Sequence, residues 1–196
     1  MILEAKEAKT QYHILKEIKD RWSPRAFAPK PVDTETLNTL FEAMRWASSS
    51  MNEQPWRVIY AHKGEEAHAK IVETLMPGNQ VWAEQAPVLM INLVKKTYTR
   101  NGSPNKSAHH DLGLAIGNLA LQATAEGIGL HQMGGFHKAQ VEELFELPED
   151  FEAVTIIALG YFGDPDQLPE ALRDRELEER NRMPIDEFVH HGQFLS

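Results

Sequence analysis

The sequence predicts a mixed α and β fold of the α+β class, folded as one layer-packed domain over residues 1–196. Three observations carry that expectation. Segments with apolar residues at helical spacing alternate with short apolar runs, WRVIYA, VLMINLV and AVTIIALGYF, that read as strands. At 196 residues and 42% hydrophobic content the chain can bury a full core. Neither an internal repeat nor a low-complexity tract breaks the alternation.

The elements follow in order. Tyr12, Leu15, Ile18 and Trp22 recur at helical spacing, and Pro24 should end that helix, because proline pushes its predecessor out of the helical region. Asp33 is placed to cap the next helix, whose stripe Leu37, Leu40, Phe41, Met44 and Ala47 faces a core before the polar run SSSMNEQP. Trp56 to Ala61 reads as a strand, residues 65–75 as an amphipathic helix with Ile71, Val72 and Leu75 inward, and Val88 to Val94 as a buried strand. Lys96 to Ser107 has no apolar period and is expected to be a mobile loop or lid. An alanine-rich helix from about His110 to Glu126 stops at Gly127, and its apolar character suits a central position or a subunit contact. A strand from Ile128, the pair Gly134 and Gly135, a short helix near Val141 to Phe145 and the strand AVTIIALGYF complete the pattern. From Leu168 the chain becomes highly charged, and the closing PIDEFVHHGQFLS is too short to form a domain.

Composition excludes several functions. A formal net charge of -9 argues against coating nucleic acid or an anionic membrane, which requires a broad basic surface. The chain has 0 cysteines, so disulfides, thiolate nucleophiles and cysteine-ligated metals are ruled out. The N-terminal stretch lacks the continuous apolar run of a signal peptide, and no segment reaches transmembrane length, so a cytoplasmic protein is expected. The 9 histidines, with HHD at 109–111 and His190 beside His191, contain no H-E-x-x-H or other facing pair, so no metal site is expected.

Against this acidic background the stretch DRWSPRAFAP gathers Arg21, Ser23 and Arg25 at a helix end. A helix C-terminus carries partial negative charge, so these arginines must outweigh it to bind an anion. The guanidinium fork matches phosphate oxygens two at a time, and Ser23 adds a neutral donor. The alternative is that the arginines neutralise the helix carbonyls and pair with a surface acid. Arg180 and Arg182 pose the same choice, since Glu176 and Glu178 stand four residues before them and helix-surface ion pairing would explain the spacing.

The pattern R-x-S-x-R-x-F, then SSSMNEQPW, then MGG, then RNRMPIDEFV, in that order along nearly the whole chain, resembles the nitroreductase family of flavoproteins. The resemblance implies a central, mostly antiparallel sheet packed between helices, an intertwined homodimer, and FMN held without a covalent bond at the subunit interface. By position Arg21 and Ser23 match contacts to the flavin phosphate and ribityl chain, Trp22 contributes backbone and packing between them, and Arg25 matches the cation near the pyrimidine edge. Ser49, Ser50, Met51, Asn52 and Gln54 match a second contact, supplied largely by the partner subunit; the usual pattern has proline where this chain has Ser48, which leaves the loop less rigid. Gly134 and Gly135 match the place where backbone N–H faces flavin N5, with Met133 packing on the ring edge, and Arg180 and Arg182 complete the phosphate site.

The implied activity is hydride transfer from NADH or NADPH through the flavin to a nitro compound, quinone or other activated electrophile. A positive group at the pyrimidine edge stabilises the charge that reduction leaves there. The implied chemistry requires no side-chain acid or base, so no catalytic residue is nominated. Where larger relatives insert helical material this chain has only Lys96 to Ser107, so an open site with a broad acceptor range is expected. The competing expectation is an FMN reservoir or redox-sensing module, favoured if Trp82 or Phe136 blocks the space above the ring.

Overall fold

The computed structural model describes residues 6–194. Among the described residues, seven α-helices flank a four-stranded sheet. In chain order they are α1 (Lys16–Asp20), α2 (Thr34–Arg45), β1 (Trp56–His62), α3 (Glu66–Thr74), α4 (Pro77–Ala83), β2 (Val88–Lys95), α5 (Ala108–Ala125), β3 (Ile128–Met133), α6 (Lys138–Leu144), β4 (Phe151–Tyr161) and α7 (Glu170–Leu177). The sheet order is β1-β2-β4-β3, and every neighbouring pair is antiparallel.

The central strands explain why their sequences are apolar throughout instead of alternating. In β2, Val88, Met90 and Val94 pack with α2 and α5 on one face, while Leu89, Ile91 and Leu93 pack with α3, α4 and α6 on the other. β4 divides in the same way, Ile157 and Leu159 against Ile156 and Ala158. Because successive residues point to opposite faces, a strand covered on both sides must be apolar at nearly every position. Each large apolar side chain fully buried there contributes about 1.5–3 kcal/mol. Asn92 is the polar exception, fully buried, and its amide donates to the Thr155 hydroxyl across 3.1 Å on β4.

Local signals hold well in the middle of the chain. The Asp33 carboxylate caps α2 by accepting from Thr36 N at 2.8 Å, and Leu37, Leu40 and Met44 are buried as expected. Gly127 ends α5 with φ at 70°, a left-handed conformation that glycine adopts without strain.

One expectation needs correction. The N-terminal helix is one short turn, Lys16–Asp20, which stops before Trp22 and well before Pro24. Of its apolar stripe only Trp22 is buried; Tyr12, Leu15 and Ile18 are exposed, because no element among the described residues covers that face. Lys96 to Ser107, the segment expected to be a mobile loop or lid, carries bonds of its own. Thr97 bridges Pro104, Tyr98 N donates to Ser103 O at 2.8 Å, and Lys96 N donates to Asp150 O at 2.8 Å.

Candidate functional site

The chain leaves α1 in extended conformation at Arg21 and runs across the end of the sheet. Trp22 anchors this loop. Its indole is 7% exposed and stacks on Phe162, ring centroids 5.6 Å apart and planes within 9°. Pro24 packs so closely over β3 that a Cβ on Gly129 would stand 2.5 Å from its Cγ, so glycine is required there. From the same strand His131 Nδ1 donates to Pro24 O at 2.9 Å. A carbonyl can only accept, so that nitrogen carries the proton. Burial, with Arg25 nearby, pulls the His131 pKa down to about 4.

The other side of the loop is held by Glu176, which is buried although it sits in the most charged stretch of the sequence. One carboxylate oxygen accepts from Arg25 N at 2.8 Å and Ala26 N at 3.0 Å. The other lies 3.8 Å from the Arg25 guanidinium. This removes the competing reading, in which Glu176 pairs with Arg180 along a helix surface. Helix α7 ends at Leu177, so Arg180 and Arg182 lie on the irregular segment beyond it and share no helical face with Glu176.

Freed from the helix, Arg180 folds back. It donates to Lys6 O at 2.8 Å and Lys19 O at 2.6 Å, tying the N-terminal segment to the last turn of α1. Among the described residues Arg182 donates only to its neighbour Asn181 O, at 2.6 Å, and its side chain belongs to an exposed residue. Arg21 donates to Ser23 Oγ at 3.3 Å, which leaves the hydroxyl proton free for a further acceptor. Arg21, Arg180 and Arg182 line one cavity of about 580 Å³ together with the apolar Tyr12, Ile18 and Met183. Burial, Arg180 and Arg182 together pull Arg21 below its ordinary pKa, and burial and Arg182 do the same to Arg180. Guanidinium groups remain charged despite such shifts, so the cavity concentrates like charges. Among the described residues none of the three forms an ion pair, and an anion with several oxygens suits them.

The segment Ser48 to Gln54 is built differently. Met51, Asn52 and Gln54 all have positive φ, at 54°, 54° and 49°, a conformation rare without glycine. Side-chain bonds hold it. Asp111, 3% exposed on α5, accepts from Ser50 N at 3.0 Å, Ser50 Oγ meets the Tyr98 hydroxyl at 3.0 Å, and Gln54 N donates to Ser49 Oγ at 3.0 Å. These contacts restrain the loop where Ser48 replaces a proline ring. They also present Met51 to solvent, 71% exposed.

This loop and the arginine cavity stand apart within one chain. The loop precedes β1, whose first residue pairs through Val94 to Glu152 at the start of β4, whereas the arginine segment bridges Phe27 to Phe162 at its end. Glu152 to Phe162 spans about 33 Å at roughly 3.3 Å per residue. The sequence motifs were thus divided between two ends of the sheet.

Gly134 is exposed, with no atom within 4 Å of a would-be Cβ, so its backbone is open to approach. Gly135 is tighter, a would-be Cβ falling 2.9 Å from Asn79 Nδ2. Met133 is a correction: its side chain is 3% exposed and lies in the core with Ile156 and Val141, so it is not available to a ring edge. Of the histidine clusters, His109 pairs with Glu152 at 2.6 Å and His110 with Asp111 at 3.3 Å. Among the described residues no group of three or more His, Asp or Glu could hold a metal.

Sequence reasoning missed Glu176, His131, Asp111 and Tyr98 as holders of the two loops. Asp111 was detectable as the lone acid inside an apolar helix; the others carried no local signal.

The sheet, the arginine cavity and the strained polar loop define an α+β protein whose arginines converge on one cavity. The profile of the Nitroreductase family matches residues 18–81 and 67–161, and the chain belongs to that family. It is 29% identical over 168 residues to the FMN reductase (NAD(P)H) of Bacillus subtilis (strain 168), covering 77% of this chain and 66% of that protein. A solved structure described as an oxidoreductase containing FMN superposes with a TM-score of 0.90 at 36% identity, over 95% of this chain and 96% of the other. A nitroreductase family protein of Clostridium difficile 630 shares the fold with a TM-score of 0.73 at 23% identity, over 93% and 100% of the two chains.

Proposed function

We propose that this chain is an FMN-dependent NAD(P)H oxidoreductase that passes reducing equivalents to nitro compounds, quinones or other activated electrophiles. The observation that carries the reading is the convergence of Arg21, Arg180 and Arg182 on one cavity in a chain of net charge -9. A phosphate monoester fits that donor set. Arg182 and Arg21 offer forked donors, Ser23 a hydroxyl, and Arg180 braces the site from behind through the carbonyls of Lys6 and Lys19. Bound there, FMN supplies hydride acceptance and donation at a flat ring. Arg25 supplies positive charge beside that ring, Gly134 an open backbone against it, and Ser50, Asn52 and Gln54 polar partners.

The last three residues precede the strand paired through Val94 to Glu152, at the opposite end of β4 from the arginine loop at Phe162, and Glu152 to Phe162 spans about 33 Å at roughly 3.3 Å per strand residue. That separation supports a homodimer in which each site takes its arginines from one protomer and its polar loop from the other. Two further features favour it. Gly113, Leu114 and Gly117 form an exposed face on α5, and Met183, Ile185, Phe188 and Val189 stand exposed along the C-terminal arm. Among the described residues no helix is long and apolar enough to cross a membrane, and a chain without cysteine suits the cytoplasm. Of the two rings that could block the flavin, Trp82 is 1% exposed and spent in the core between Phe27 and His131, which leaves half-buried Phe136 as the ring on which the reservoir reading rests.

The test is the absorption spectrum of protein reconstituted with FMN, before and after anaerobic NADH and then NADPH. Bleaching of the bound flavin within seconds is expected with at least one donor. Binding without reduction would favour the reservoir, and no binding would return the arginines to a structural role.

A further inference from the structure

Glu176 occupies an unusual position for a carboxylate. It is 1% exposed, reaches across the fold to residues 150 and 151 positions earlier in the chain, and spends one oxygen on the backbone N–H groups of Arg25 and Ala26. The other oxygen is buried without a hydrogen-bond donor among the described residues. An ionised oxygen so placed is held by charge alone, and two cations supply it. Arg25 stands 3.8 Å away, too far for a hydrogen bond but close enough for strong attraction. Lys6 is the second, 4% exposed, with its ammonium engaged by the carbonyls of Arg175 and Glu178 and set 5.1 Å over the Trp22 ring. Burial lowers the Lys6 pKa, and Glu176 is the strongest influence opposing that fall.

The consequence falls on Arg25. Had Glu176 formed a forked ion pair, the guanidinium would be committed. Because the carboxylate instead binds the backbone from which Arg25 projects, the side chain is aimed while its donors stay free; among the described residues they make no hydrogen bond, and the side chain is 24% exposed. A cation whose charge is partly balanced from behind is a weaker stabiliser of negative charge in front than a bare one.

We propose that Glu176 is a positioning residue for Arg25, fixing its direction and tempering its charge, and thereby sets the reduction potential of the FMN beside it. This rests on the FMN reading above. Replacing the carboxylate by a neutral group of the same shape removes the tempering and leaves the backbone contacts, so reduction of the flavin becomes easier.

The experiment compares wild type, Glu176→Gln, Arg25→Gln and the double variant, each reconstituted with FMN. The midpoint potential is measured by anaerobic photoreduction against a reference dye, FMN affinity by fluorescence quenching, and apoprotein integrity by thermal melting. Glu176→Gln is expected to favour the reduced flavin about tenfold over wild type, about 30 mV upward for a two-electron couple. Arg25→Gln is expected to shift it downward, and the double variant to match Arg25→Gln alone, because Glu176 acts through Arg25. If Arg25→Gln moves the potential and Glu176→Gln does not, the carboxylate is merely structural and the proposal is wrong while the FMN reading stands. If neither moves it although FMN binds, Arg25 does not face the ring and the proposal falls with that assignment. Should Glu176→Gln fail to fold, Glu176→Asp serves: a shorter carboxylate that shifts the potential without changing the melting temperature supports the role, and one that shifts neither opposes it.

Discussion

His131 Nδ1 donates to the carbonyl of Pro24 across 2.9 Å, joining an edge strand to the loop that carries Arg21 and Arg25. The bond fixes which nitrogen carries the proton of the neutral ring, and burial, outweighing that bond, holds the pKa at about 4 against 6.5 for a free imidazole. Unfolded chain therefore takes up a proton that folded chain refuses. The stabilising contribution is complete above pH 6.5, shrinks as pH falls toward 4, and levels off below; over that range it amounts to about 3 kcal/mol. His131→Gln keeps a donor for Pro24 but cannot titrate. Between pH 7 and pH 4.5 the variant should lose about 2 to 3 kcal/mol less stability than wild type. Urea unfolding at the two values checks this, and equal losses would rule out His131 as the source.

Arg180 and Arg182 should separate in their effects. Among the described residues, Arg180→Ala leaves the Lys6 carbonyl without its donor and removes one of two donors to Lys19 O, the other being Ala8 N at 3.0 Å, and should destabilise the apoprotein by about 1–3 kcal/mol. Arg182 touches only Asn181 O, so Arg182→Ala should change stability by no more than about 0.5 kcal/mol. Both should weaken FMN binding, and raising salt should weaken it further in wild type. Thermal melts of apoprotein beside FMN titrations at two ionic strengths make the comparison. An Arg182→Ala protein with wild-type FMN affinity would remove that residue from the site.

A pair of glycines offers a cleaner contrast. A Cβ at Gly160 would fall 2.5 Å from Pro87 Cδ, an overlap with a ring that cannot swing aside, so Gly160→Ala should cost about 1–3 kcal/mol in stability. At Gly134 nothing lies within 4 Å, so Gly134→Ala should fold normally. Its methyl would nonetheless stand on the surface proposed for the flavin ring, and FMN affinity should fall. Normal affinity in a normally folded Gly134→Ala would place the ring elsewhere.

Asp111 supports the polar loop from beneath. Asp111→Ala leaves Ser50 N without its acceptor, releases a segment containing three positive-φ residues, and should cost about 1–3 kcal/mol. Reconstitution with FMN should suffer even though every arginine is intact. Mixing this protein with Arg182→Ala in excess should restore FMN binding at one site in a mixed dimer, and failure to restore any would argue against a site shared between protomers.

The legible part of this molecule was the part governed by local chemistry. Strands buried on both faces announce themselves as apolar runs, and the Asp33 cap and Gly127 stop are set by neighbours within one helical turn. The arginines were also found, because a cluster of cations in an acidic chain is a compositional anomaly. What was hidden depends on contacts distant in sequence. Glu176 reads as one more acid in LPEALRDRELEERNRMP, and only the fold brings it to Arg25. The helix expected through Trp22 failed for a related reason. Tyr12, Leu15 and Ile18 have helical spacing, but that spacing forms a helix face only when something in the chain covers it.

The contacts that close the arginine loop also impose an order on synthesis. Lys6, Arg25 and Ala26 wait for residues 175 to 180, and Ala26 is separated from Glu176 by 150 positions. At roughly 5–20 residues per second that interval lasts roughly 8–30 seconds. All four strands end by Tyr161, so they leave the ribosome before the loop has its carboxylate. A nascent or clipped chain lacking residues 175–182 would carry the full sheet and no finished anion site, and cofactor capture would then mark the chains whose translation had run through that segment.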